Sequence, residues 1–442
     1  MTTELEPRRA RHAAAPRDGS PDDGLPPGGH AHSHGGPVPP APWRTRLVLA
    51  LLVLPALVAT AFGLWTLWPS PADVPERIPV VVEGSELVVV TVVGPLEETA
   101  DESWPTMEDA TAGDVAIRLP DGGTSGMQAD PRFELEPGER VTALYIGDFA
   151  DTVTPYVFMD HQRDVPFGVL AAVYALVVLL VARWRGLAAI AGLAVAFAVF
   201  VGFTFPALLA GESAMGVALV TSSAVMLAVL YLAHGLTART TVALLGTLAG
   251  LALTAGIGTW ATGAAHITGA SDELAQNLTI IAPSVDLRGI ALCGLVLAGM
   301  GVLNDVTITQ ASAVWELRSL APTAPRRVLF ARAMRIGRDH IASTVYTIAF
   351  AYVGAALPLL LTVWLLDQTP LMTITSGEIA EEVVRTLVGS IGLVLAIPIT
   401  TAIAAVTVPG PDPDPGLDAR TAPGSSTMGT NPSLEDAVQD RP

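Results

Sequence analysis

Long apolar segments alternate with short polar ones along most of the chain. Each apolar segment is close to the roughly 20 residues that a helix needs to cross about 30 Å of hydrocarbon. We predict eight membrane spans, at 47–67, 166–182, 187–209, 213–233, 240–262, 289–303, 341–366 and 383–407. The pattern therefore predicts a mainly α, polytopic helical membrane protein, with a first span at 47–67 and a seven-helix membrane domain at 166–407.

A different pattern occupies residues 70–165, between the first two spans. Short runs rich in β-branched residues, among them "ELVVVTVVG" and "ERVTALYIG", are separated by Gly, Pro and Asp turn signals. They predict a small extracytoplasmic β domain of about five strands, which is a barrel or a sandwich. The OB-like topology is one arrangement that such a domain could have. Residues 1–42 and 408–442 have too few large apolar side chains to form a core, so we predict disordered tails.

The placement of arginine predicts the orientation of the spans. Arginines lie at 44 and 46, at 183 and 185, at 239, and between 318 and 338, which is one common face if successive spans alternate in direction. Loops rich in arginine stay in the cytoplasm, so this face is cytoplasmic. We therefore expect a multi-pass membrane protein, surrounded by the lipid bilayer, with both termini cytoplasmic.

Composition excludes several functional classes. Apolar residues make up 51% of the chain and charged residues 15%, which is typical of a membrane protein. The net charge of −18 argues against a nucleic-acid partner, because nucleic acids need a basic surface. All 24 basic residues are arginine, which excludes lysine-dependent catalysis, and the chain has no HExxH motif or phosphate loop. We predict no enzyme and no cofactor.

Histidines alternate in the N-terminal tract "GHAHSHGG", at His30, His32 and His34. Imidazoles at such spacing can hold a transition metal weakly. A solvated low-complexity tract without a metal is the favoured interpretation, so the metal site is only the weaker alternative.

The sixth apolar segment turns abruptly polar. If its helix continues unbroken, the period of 3.6 residues places on one face Gly294, Ala298, Gly301, Asp305, Thr309, Ser312 and Glu316. From this segment we predict a polar intramembrane site made of Asn304, Asp305, Thr309, Ser312 and Glu316. In the alternative, the span ends at Leu303 and Asn304 or Asp305 caps a second, interfacial helix. The residues favour neither alternative.

Other segments predict packing and charge pairing. Small residues let helices approach closely in membranes, and we assign this role to Gly246, Gly250, Gly258, Gly301, Gly389 and Gly392. An outer-interface charge cluster contains Glu378, Glu382 and Arg385, in which Glu382 or Glu381 is the nearest partner for Arg385. The arginine-rich residues 324–340 predict a separate helix at the inner headgroup surface.

Three segments resemble the YibE/F family of bacterial integral membrane proteins: "GVLNDVTITQASAVWELR" (301–318), "VDLRG" (285–289) and "EIAEEVVRTLVGSIGLVLAIPITT" (378–401). We expect the resemblance to cover about 140 to 407. It implies a bacterial plasma-membrane protein with Asp at 305, and it supplies no substrate. The arginine-only basic set and the abundance of Ala and Gly are similar to an actinobacterial member.

Two functions remain open. The first is a permease or channel-like transporter of an ion or small polar solute, with its site on the sixth helix; Pro358 and Pro398 could break helices near a pathway. The alternative is a membrane scaffold whose β domain binds an extracytoplasmic protein partner. Either protein could form a homo-oligomer.

Overall fold

A computed structural model describes residues 42–79, 81, 84–96, 114–146, 154–271, 273–366 and 369–410. The histidines at 30, 32 and 34 and almost all of the two predicted tails lie outside these residues. The helices and strands of the described part run in the order α1 (Trp43–Thr66), β1 (Glu86–Pro95), β2 (Val115–Arg118), β3 (Thr124–Gln128), β4 (Arg140–Tyr145), β5 (Tyr156–His161), α2 (Asp164–Ala182), α3 (Trp184–Leu209), α4 (Ala214–His234), α5 (Ala238–Ala264), α6 (Glu273–Ile281), α7 (Leu287–Leu320), α8 (Arg326–Ala355), α9 (Leu357–Leu365), α10 (Pro370–Ile374) and α11 (Gly377–Thr407).

Seven of these helices are long and apolar enough to cross a membrane, and α8 with α9 gives an eighth if the pair is one span. The pair is bent by 67° at its break. Proline causes the break, because Pro358 has no backbone N–H to continue the hydrogen bonds of α8 and instead occupies the first turn of α9. Pro398 has no such effect, since α11 continues through it.

The helix ends follow from local sequence. Ser213 caps α4 by accepting a hydrogen bond from the backbone N–H of Gly216, at 3.4 Å. The same helix ends at Gly235, whose φ of 74° lies in the left-handed region that favours glycine. Thr237 then caps α5 through the N–H of Thr240, at 3.1 Å. These caps allow a turn of only three residues between two adjacent antiparallel helices.

Two helices extend further than the hydrophobic pattern predicts. α7 has 34 residues and passes through Asn304 and Asp305 without interruption, so the interpretation of these residues as helix caps is wrong. α8 has 30 residues and includes most of the arginine-rich segment, so that segment is not a separate headgroup helix. Gly337 lies inside α8 and packs against Ile397 and Gln310. These tertiary contacts stabilise the helical conformation at this glycine.

The β domain is a closed barrel with the strand order β1-β2-β3-β5-β4. Neighbouring strands are antiparallel except β3 and β5, which are parallel. This closure decides for a barrel against a sandwich, and the order is that of the OB-like topology. Alternating side chains fill the interior with one apolar cluster: Val90, Val92, Val115, Ile117, Met127, Val141, Ala143 and Phe158.

In the membrane domain, α5, α7 and α11 pack against one another at the centre, and α4 and α8 cover their outer sides. This interface is apolar but contains buried hydroxyl groups, at Thr247, Thr254, Thr307, Thr400 and Thr401. Most of these hydroxyls donate to the carbonyl four residues earlier in their own helix, so burying them costs little. α2, by contrast, has no buried side chain, as expected for a helix that faces lipid.

Candidate functional site

The polar face predicted on α7 exists, but it points away from the helical bundle. Its members Gly294, Ala298, Gly301, Asp305, Thr309 and Glu316 are all exposed, and Ser312 is partly buried. Large apolar residues on the opposite faces, such as Leu295, Val296 and Leu303, are buried against α4, α5 and α11. The apolar faces of α7 thus pack inside the bundle, and the small and polar residues are left on its outside.

The level of Asp305 in the membrane follows from a contact between α7 and α5. Thr307 shares a hydrogen bond of 2.7 Å with Thr247. Thr247 lies eight residues beyond Arg239 at the inner end of α5, or about 12 Å at 1.5 Å per residue. Asp305 is therefore within a hydrocarbon core of about 30 Å. Among the described residues its carboxylate has no hydrogen-bond partner, and it faces the surroundings of this chain.

The structure does not bring the five predicted site residues together around a cavity. Asn304 is partly buried on an adjacent face of α7, where its Oδ1 atom is covered and has no hydrogen-bond partner among the described residues. Thr309 and Glu316 remain exposed, and Glu316 lies only four residues from the end of the helix. The five predicted site residues therefore lie on different faces of α7, some partly buried against the bundle and the others exposed.

The six packing glycines fall into two groups. A Cβ atom on Gly250 would lie 2.8 Å from Leu303 and 3.0 Å from Ala396, and one on Gly258 would lie 3.0 Å from Leu292. Gly246 and Gly392 likewise leave no room, facing Thr400 and Thr254. At these four positions, helices α5, α7 and α11 touch because the residue is glycine. Gly301 and Gly389 face open space, so the packing prediction is wrong for them within this chain.

The N-terminal end of α11 gathers the predicted charge cluster. Arg385 donates from Nη1 to Glu382 Oε1 at 2.7 Å, which is one of the two same-helix partners expected from the sequence. Glu381 instead accepts from Ser271 Oγ at 2.7 Å and from the backbone N–H of Gly269 at 3.1 Å. Glu381 thereby ties the start of α11 to the loop after α5, while Glu378 is exposed.

A cavity of about 250 Å³ lies beside this cluster, between α8, α9 and α11. It sits at the bend where Pro358 breaks the helix pair, since residues from both sides of the break line it. The lining includes Tyr352, Val353, Leu360, Glu382, Val383 and Leu387. Broken membrane helices of this kind commonly form the walls of solute sites in transporters.

Glu382 is the chemically distinctive residue of this cavity. Its Oε1 atom is held by Arg385, but its Oε2 atom is covered from solvent and has no hydrogen-bond partner among the described residues. An unpaired carboxylate oxygen in apolar surroundings is costly and is a strong acceptor for any donor that reaches it. The carboxylate end of a glutamate side chain rotates easily, so Oε2 can turn toward a molecule in the cavity.

The sequence predicts Glu382 as part of a charge cluster and Pro358 as a possible helix break, but no pattern in it connects the two residues. Tyr352 is a lone tyrosine in an apolar segment, which gives no signal by itself. The usable signal is the position of Pro358, which turns α9 away from the axis of α8 and places residues from both sides of the break in the cavity wall.

A second polar contact lies in the barrel, where β5 leads into α2. His161 Nδ1 is 2.5 Å from Glu139 Oε1, and the imidazole also lies edge-on to Phe158, with 5.1 Å between the ring centroids. The hydrogen bond from His161 lowers the pKa of the Glu139 carboxyl below its usual value. Glu139 lies directly before β4, and His161 is the last residue of β5. This contact therefore holds the end of the barrel's last strand, from which the chain continues into α2.

Across the described residues, no three His, Cys, Asp or Glu side chains lie close enough together to hold a metal ion. The model of a protein family, YibE/F-like protein, matches residues 170–410. The match begins within α2, later than the expected 140, and so excludes the barrel. No curated protein and no solved structure matches the chain.

Proposed function

The chain belongs to the YibE/F-like family of membrane proteins, and from that premise we propose that it is a permease or channel for an ion or small polar solute. The observation that carries the proposal is the Oε2 atom of Glu382, which has no hydrogen-bond partner among the described residues and lies beside a cavity at a broken helix. Polar groups inside a membrane domain are costly to maintain, and those next to a cavity are typical of a solute pathway.

In this proposal the solute enters at the cavity between α8, α9 and α11 and meets Glu382 there. The site is on α11 and not on α7, because the polar face of α7 points outward.

In this proposal the protein resides in a bacterial plasma membrane with both termini in the cytoplasm, and it performs no covalent chemistry. The arginine-rich ends of α2, α7 and α8 support this orientation, since basic loops remain cytoplasmic. The barrel between α1 and α2 then lies outside the cytoplasm, on the same side as the cavity.

The test is solute flux through purified protein reconstituted in liposomes. Gradients of protons, K⁺, Mg²⁺ and n-butylammonium would be applied in turn to the parent protein and to Glu382→Gln, with Glu316→Gln on the exposed face of α7 as the matched control. We expect flux of at least one solute that falls tenfold or more in Glu382→Gln and is unchanged in Glu316→Gln. If none of these solutes crosses faster than through protein-free liposomes, or if both variants match the parent, the permease proposal is wrong.

The second candidate function is a membrane scaffold, which the separate apolar core of the barrel favours. Leu87 and Met159 are large apolar side chains on the outside of the barrel, 40% and 45% exposed. The function of a scaffold would depend on such a surface and would not change when Glu382 is substituted. In a strain lacking the gene, full complementation by Glu382→Gln together with failure of Leu87→Asp and Met159→Asp would favour the scaffold.

A further inference from the structure

The cavity beside Glu382 has walls that are almost entirely apolar. Of its ten lining residues, only Tyr352, Glu382 and Thr386 have a polar side-chain atom. Its volume of about 250 Å³ is below the roughly 300–1,000 Å³ of sites for drug-sized ligands. A molecule that fills it therefore has few heavy atoms and mostly apolar surface.

A bare metal ion does not fit such walls. Mg²⁺ requires six oxygen ligands and Ca²⁺ six to eight, whereas this cavity provides one carboxylate, one phenol and one hydroxyl. The only strong acceptor without a partner among these groups is Glu382 Oε2, as far as the described residues show. The chemistry that would complete the site is a single N–H or O–H donor on an apolar body.

The charges on α11 favour a positively charged donor. Its outer end carries the carboxylates of Glu378, Glu381 and Glu382, against the one guanidinium of Arg385. Arg385 already occupies Oε1, so it neutralises one carboxylate without satisfying Oε2. The remaining negative charge attracts a cation, and the ring of Tyr352 in the cavity wall can add a cation–π contact.

We propose that this cavity binds a small primary alkylammonium solute, with its ammonium group on Glu382 Oε2 and its alkyl chain between α8 and α11. The proposal rests on the function proposed above, because it names the class of solute that would enter the pathway. It places the head of the solute near Arg385 at the outer end of α11 and its tail against Val353, Leu360 and Val383.

The test is direct binding to the detergent-purified, full-length protein, measured by isothermal titration calorimetry against protein-free micelles. The probes are n-butylammonium, tetramethylammonium, which is a cation without an N–H donor, 1-butanol, which is a donor without charge, and K⁺. We expect saturable binding of n-butylammonium and binding at least tenfold weaker for the other three, as a hydrogen bond to a charged acceptor implies.

Two variants separate the roles of the carboxylate and the space. Glu382→Gln keeps an oxygen for Arg385 and should weaken n-butylammonium binding tenfold or more. Ala349→Phe fills the cavity and leaves Glu382 intact, so it should abolish binding. Ala342→Phe, on the exposed surface of the same helix and outside the cavity lining, is the control and should bind like the parent.

Several outcomes would overturn the proposal: no saturable binding of n-butylammonium, equal binding of tetramethylammonium, 1-butanol or K⁺, or unchanged binding in Glu382→Gln or Ala349→Phe. A fourth, K⁺ or proton flux that requires Glu382 in a protein that binds no alkylammonium, would leave the permease function standing and refute this solute class. Alkylammonium binding with no flux of any solute would refute the permease function and leave the binding site standing.

Discussion

The C-terminal half of α7 and the N-terminal end of α11 both place carboxylates on a membrane helix, with opposite results. On α7, Asp305 and Glu316 are exposed and lack hydrogen-bond partners within the described structure. On α11, Glu381 and Glu382 are partly buried and bound, to Ser271 and to Arg385. A carboxylate acquires a site when other groups close around it, and of these two regions, as far as the described residues show, the N-terminal end of α11 has such groups.

The neighbours differ because of the chain connections. The loop from Gly269 to Ser271 comes back over the start of α11, and the break before Pro358 turns α9 aside. The result is a bound carboxylate at Glu381 and a mostly apolar cavity beside Glu382. The C-terminal half of α7 packs against α5, α8 and α11, and no described residue covers its polar face.

The largest expected effect concerns the sides of the membrane on which these regions lie. Glu316 on α7 and Glu378 on α11 are both exposed, so a cysteine at either position should be reactive. The native Cys293 is buried and gives little background. In intact cells, we expect an impermeant maleimide to label Glu378→Cys fully and Glu316→Cys only after permeabilisation.

Permeabilised cells provide the control, because both cysteines should then be labelled equally. Labelling of Glu316→Cys in intact cells would show that the orientation is the opposite of the expected one. It would also move the cavity beside Glu382 to the cytoplasmic side.

The next effect separates buried from exposed glycines. Gly250→Leu should lower the free energy of unfolding by about 1–3 kcal/mol or more, because its side chain would collide with Leu303 and Ala396. Gly301→Leu should have little effect, since a Cβ there meets no atom within 4 Å. The measurement is the thermal unfolding of both purified variants. Equal loss in the two would show that the outer face of α7 is also packed, against a second copy or another protein.

A smaller effect is expected from the buried hydroxyl pair. Thr307→Val keeps the shape of the side chain and removes its hydrogen bond to Thr247, which should cost about 0.6 kcal/mol, the average for such bonds between membrane helices. Thr309→Val, two residues along on the exposed face, should be neutral. Thermal unfolding of the two variants, averaged over repeats, would resolve the difference. A larger loss in Thr309→Val than in Thr307→Val would contradict the assignment of the faces.

Much of the fold could be predicted from the sequence. Apolar length gives the spans, and the alternation of β-branched residues with turn signals gives the barrel, because both depend on local patterns. Periodicity also groups Gly294, Gly301, Asp305 and Glu316 correctly on one face of α7. Periodicity does not say which face meets the bundle, since that depends on how neighbouring helices are arranged.

The candidate site was harder to predict for the same reason. Glu382 and Arg385 are three residues apart, so their pairing follows from helix geometry. The cavity depends on α8 and α9, whose lining residues lie 22 to 33 positions before Glu382 in the chain. Contacts over such separations are set by the packing of the whole domain and leave no periodic signal.

The smallest expected effect is that of Asp305→Asn, which tests whether the outer face of α7 has a function of its own. Its carboxylate is exposed at a depth where charge is costly, and no described residue binds it. Removing the charge should therefore leave thermal stability unchanged or slightly raised, within about 0.5 kcal/mol, as for surface substitutions in general. Solute flux and the mass of the particle by light scattering should equal those of the parent. A fall in stability together with a fall in mass would show instead that Asp305 is paired within a homo-oligomer. Loss of flux at unchanged mass would return the transport site to α7, because the amide keeps the shape of the side chain and removes only its charge.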